Sequence, residues 1–173
     1  MVASHAVRSS DDQSFAQVTA EPDGGLLKLA QEYSEINDPD YTTRVAMKDQ
    51  AAAAMLRYVF QKKISKQALQ TWDLAQPSDG LTVALASYVL ANPEEGDVAR
   101  LLSVGKFATW LHVKYRITLA LRALAKEGFG KASEWKEALT MLSRYSEHAR
   151  MRGDQSLVLL ATEIEHMIQS KLG

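Results

Sequence analysis

The chain has 173 residues, 46% of them apolar and 24% charged, with a formal net charge of −1, which is the balance of a globular chain long enough for one core. It contains no cysteine, so disulfides, thiolate nucleophiles, Cys-ligated zinc and iron–sulfur clusters are excluded. The longest apolar stretch, Leu81 to Ala91, is too short to span a membrane, and residues 1–25 lack the apolar run of a signal peptide, so a cytoplasmic protein without membrane contact is expected.

Residues 1–25 show no periodicity and end in the turn signal Pro22-Asp23-Gly24-Gly25; they are expected to form a flexible, acidic N-terminal arm ahead of a single helical domain over 26–173. Leu26, Leu29, Ala30 and Tyr33 then fall at helical spacing. Asn37-Asp38-Pro39-Asp40 stops this helix and offers a cap for the next, predicted from about Thr42 to Lys63. In that helix Val45, Ala52, Leu56 and Val59 form an apolar stripe, and the run Ala51 to Ala54 lets a neighbour approach closely. Ser65 is placed to cap a short helix with Ala68, Leu69 and Trp72, which Gln76-Pro77-Ser78-Asp79-Gly80 ends.

Leu81 to Ala91 is apolar nearly all round, which predicts a fully buried helix. Asn92-Pro93-Glu94-Glu95 reads as the start of the next one, ending near Gly105. From about Lys106 to Glu127, Trp110, Val113, Ile117, Ala120, Leu121 and Leu124 repeat at three and four, and Gly128-Phe129-Gly130 closes the helix. Ser133 is expected to cap a helix with Trp135, Ala138, Leu142 and Tyr145; Gly153 closes it and Asp154 opens the last. The expected fold is all-α, a compact bundle or short α-solenoid of about eight helices arranged as antiparallel hairpins. Asp79 to Ala86 and Asp154 to Ala161 echo one another, without a fixed period. Ala138 to Ile164 is slightly similar to one tetratricopeptide unit, through Tyr145, Gly153-Asp154, Leu157, Leu160 and Ala161, though the upstream Trp-Leu-Gly-Tyr arrangement is absent. That likeness implies a helical hairpin and a protein-binding groove more often than an active site.

No chemical motif survives its own requirements. Glu163-x-x-His166, joined by His148 across the last hairpin, is a fragment of a helical metal site that lacks a second such pair. Ser103-x-x-Lys106 and Ser133-x-x-Lys136 match a serine-nucleophile pattern, but its partner motifs are missing. Gly128-Phe129-Gly130-Lys131 lacks the strand, spacing and hydroxyl of a phosphate loop. An enzyme is therefore not expected, and neither is a cofactor or metal.

Charge gives the stronger signal. Residues 41–72 hold six bases against Asp49, and 98–128 hold six against Glu127. Set side by side, two such helices would steer an acidic partner. The expected function is a non-enzymatic protein–protein interaction module: an adaptor, a chaperone-like binder or a subunit of a larger assembly. Its partner would be an acidic or amphipathic helical protein. Lys48, Arg57, Lys62, Arg116 and Arg122 would carry the contact. Core packing is expected of all three tryptophans, with Trp72 and Trp135, at the ends of short helices, as the two that would serve as anchors if exposed. A nucleic-acid-associated regulator is the alternative, ranked lower by a pI of about 6.4 and by the lack of a recognition motif; a helical metalloprotein comes third.

Overall fold

The computed structural model describes residues 24–172, in which eight helices and no strand occur. The acidic arm lies outside the described residues. The helices are α1 (Gly24–Glu35), α2 (Tyr41–Lys62), α3 (Lys66–Leu69), α4 (Asp79–Ala91), α5 (Asp97–Gly105), α6 (Leu111–Glu127), α7 (Ala132–Arg152) and α8 (Gln155–Leu172).

The apolar run that predicts a buried helix becomes α4, and every residue from Thr82 to Val89 is buried. It is surrounded by α1, α2, α5 and α6, which explains why it has no polar face. Its crossing with α1 depends on Gly80. A Cβ there would run into the Ala30 carbonyl, and the Gly80 N–H donates to Ser34 Oγ at 3.0 Å.

α6 is the second hub, against α4, α5, α7 and α8. α5 packs on α7 and α6 on α8, so the α5–α6 and α7–α8 hairpins stack in register. Tyr145 Oη donates to the Gly105 carbonyl at 2.6 Å, and Gly105 has no room for a Cβ beside Met141 Sδ. One hydrophobic core runs from Leu26 to Ile168.

Several boundaries differ from the sequence reading. Gly24 and Gly25 belong to the first turn of α1 rather than to a linker, because Gly25 packs where a side chain would overlap Tyr58. Asn92 ends α4, its N–H bonding Tyr88 O at 2.9 Å, and α5 starts later, behind Gly96 at φ 87°. No side chain caps α5; the buried Asp97 carboxylate instead fixes the preceding turn, accepting the Glu94 N–H at 3.0 Å, and pairs with Arg100. α6 begins at Leu111, not Lys106. The Gly105 carbonyl is taken by Tyr145 and by the Ala108 N–H at 3.1 Å, so residues 106–110 turn instead of continuing the helix. α7 begins at Ala132 behind Lys131, whose N–H is bonded by Glu134 Oε2 at 2.9 Å, so Ser133 is not the cap. α3 covers only Lys66–Leu69, so Trp72 lies beyond its end, and Ser65 precedes it without a side-chain cap bond. The cap of α2 and the stops of α6 and α7 agree with expectation. Asp40 caps α2 through Thr43 N at 2.7 Å, and Gly128 and Gly153 take left-handed conformations after α6 and α7.

Candidate functional site

A polar cluster joins α1, α2 and α6. Tyr33, last of the α1 stripe, is fully buried, and its hydroxyl lies 2.6 Å from His112 Nδ1. His112 Nε2 lies 2.8 Å from Asp49 Oδ1, which also accepts from Arg116 Nη2 at 2.6 Å. Lys48 Nζ donates to the Tyr33 carbonyl at 3.2 Å and sits 4.1 Å from the Tyr33 ring centroid.

Burial pushes the Tyr33 phenol upward and the His112 imidazole below its usual value. Burial alone would raise Asp49, but hydrogen bonds from His112 and Arg116 outweigh it and hold the carboxyl low. These directions agree on one assignment: Tyr33 O–H donates to Nδ1 of a neutral His112, and Nε2–H donates to ionised Asp49. The carboxylate–imidazole–hydroxyl order is that of a nucleophilic triad. Its hydroxyl, however, is sealed in the core and made a poorer acid, so the cluster acts as a strut between three helices.

The expected basic surface does not assemble. Each of three α6 bases is committed to a different helix. Arg116 binds Asp49 of α2, Lys114 Nζ reaches His148 Nδ1 of α7 at 2.6 Å, and Arg122 Nε binds Glu163 of α8 at 2.8 Å. Lys48 covers Tyr33. Of the five bases singled out, only Arg57 and Lys62 are exposed without an ion pair to a described residue. The metal fragment is dispersed as well: Glu163 and His148 are engaged with cations, and among the described residues no three His, Asp or Glu side chains are placed to hold a metal ion.

The tryptophans correct the anchor expectation. Trp72 and Trp135 are 7% and 4% exposed, so neither is an accessible anchor, whereas Trp110, read as core, is 54% exposed. Trp135 Nε1 donates to Phe129 O at 2.8 Å, and Trp72 Nε1 is buried without a partner among the described residues. Trp110 follows the α6 period but precedes its first turn, in the connection that Tyr145 bends away. Beside it, the Arg44 guanidinium lies 5.9 Å from the Trp110 ring and 5.7 Å from the Tyr41 ring, and donates to the Asp38 carbonyl. Tyr41 is 63% exposed, and Met47, on the same helix, and Phe107, in the same connection as Trp110, are exposed as well. Sequence reasoning missed this cluster, since Tyr41 and Trp110 are far apart along the chain; the α5–α6 linker was the only cue.

A cleft lined by Phe129, Trp135, Ile168 and Lys171 opens at the α6–α7 turn, but the Lys171 ammonium is bound to the Ala125 carbonyl. No helix among the described residues is long and apolar enough to cross a membrane. Comparison of the chain with protein-family models, with curated proteins and with solved structures gives no match.

Proposed function

We propose that this protein is a non-enzymatic helical interaction module that holds an acidic, amphipathic segment of another protein against the surface carrying Tyr41, Arg44 and Trp110. The observation that carries this reading is Trp110, half-exposed on a fold that buries its other two tryptophans. Trp, Tyr and Arg are the residue types that dominate binding energy at interfaces. Arg44 is held in place between two rings and a backbone carbonyl, so little rotamer entropy is lost when a carboxylate meets it. The rings and Met47 supply apolar area for the other face of such a segment. This reading keeps the acidic partner expected from the sequence but moves the contact off Arg116 and Arg122, which serve the fold.

The test is capture with the full chain as bait, comparing wild type, Trp110→Ala with Tyr41→Ala, Arg44→Glu, and a distant control, Lys136→Ala. A stoichiometric protein retained by wild type and control but lost from the other two variants is the expected result. Equal retention by all four baits, or none by wild type, overturns the proposal. Nucleic acid retained instead, and released by salt, would replace it with the regulator reading.

A further inference from the structure

α2 ends in a surface that the described fold leaves unused. Arg57, Lys62 and Lys63 are exposed and form no ion pair with a described residue, and Phe60 is 60% exposed. Helical spacing puts Arg57 and Phe60 on one face, while Lys62 lies one turn beyond Tyr58.

α1 and α2 run antiparallel, since Lys48 meets Tyr33 at one end of the pair and Tyr58 meets Gly25 at the other. Gly24 therefore lies at the Tyr58 end of α2, where the preceding chain is attached. That chain has matching chemistry. Residues 11–23 contain Asp11, Asp12, Glu21 and Asp23, no base, and one aromatic residue, Phe15. Thirteen residues reach as far as about 40 Å when extended, whereas Arg57 to Lys63 spans about 9 Å of helix. The tether sets a local concentration on the order of millimolar, so a contact too weak to hold a separate molecule is populated within one chain.

We propose that residues 11–23 dock across the C-terminal end of α2, with the carboxylates against Lys62 and the cap residue Lys63 on the Tyr58 side and Phe15 reaching Phe60 beside Arg57 on the outer side. This occupant is favoured over an external one by covalent proximity and by opposite charge. The surface is distinct from the one around Trp110, so the two proposals fail independently.

The absence of cysteine makes the test direct. A nitroxide on Ser14→Cys in the full chain reports which amides lie near the segment. The expected result is strong broadening of residues 57–63 over those of α8. It should fade in about 0.5 M salt, where the Debye length is about 4 Å, and weaken with Phe60→Ala. Lys62→Glu with Lys63→Glu should abolish it, and adding Glu21→Lys with Asp23→Lys should restore it; Lys62 and Lys63 are exposed, and an amide spectrum checks the fold of each variant. Broadening spread evenly over the bundle, or centred on Trp110, overturns the proposal. So does broadening that passes to isotope-labelled chains lacking the nitroxide, since the occupant would then be a second copy.

Discussion

The two basic stretches, 41–72 and 98–128, carry the same excess of positive charge and meet different fates. Three of the four bases of α6 reach neighbouring helices, with Arg116 on Asp49, Lys114 on His148 and Arg122 on Glu163, while Lys126 in the last turn is exposed. Those at the end of α2 point outward with nothing to meet among the described residues. A helix at the hub of a bundle spends its charges as cross-braces, whereas a helix with a free face keeps them for something else. Net charge along a sequence therefore marks a surface only after the packing of the helix is known.

The sharpest way to break that contrast is to reverse one charge of each kind. Arg116→Glu sets two carboxylates against each other in a half-buried site, where Arg116 Nε already lacks a partner among the described residues. It should cost about 3 kcal/mol in urea unfolding. If it were as harmless as Lys62→Glu, the contrast would be false. Next is Tyr33→Phe, which leaves His112 Nδ1 without its donor and should cost about 1.5 kcal/mol.

pH probes the same brace. Burial lowers the native His112 value below the unfolded 6.5, so the unfolded chain binds a proton that the native chain refuses. Stability should be flat above that value and fall as pH drops from 6.5 toward the lower native value. Denaturation midpoints at about pH 7.5 and about pH 5.5 should differ less for His112→Gln than for wild type. His148, lowered by burial, Lys114 and Arg152, adds to the remaining difference, while Asp79 and Asp97, raised by burial, oppose it. Arg122→Gln, at an ion pair with more water around it, should cost about 0.5 kcal/mol. Arg57→Glu with Lys62→Glu should change stability by less than about 0.5 kcal/mol.

The fold was legible because its signals are local. The unbroken apolar run of α4, the three-and-four spacing of Val113, Ile117, Ala120 and Leu124, and the glycines at 128 and 153 each state an element without reference to anything distant. The site was less legible because its contacts join residues far apart. Asp49 pairs with an arginine 67 positions away, and nothing in its own helix announces this beyond being the one acid among four bases. Trp110 was misread for a related reason. It keeps the period of α6, but a hydroxyl from α7, 35 residues on, ends the preceding helix at Gly105 and leaves the indole outside. Tyr41 and Arg44 then gather around it in three dimensions only.

The brace of Tyr33, His112 and Asp49 also sets an order of events as the chain folds. Its members are separated by 79 and 63 residues, so it closes only after large loops have been drawn together, whereas α7 and α8 zip across a two-residue turn. The C-terminal hairpins are expected to form early and the brace to close near the end. Weakening it with Tyr33→Phe should then hasten unfolding while leaving the refolding rate nearly untouched. The polar knot would thus act as the latch on a structure already assembled rather than as the seed from which it grows.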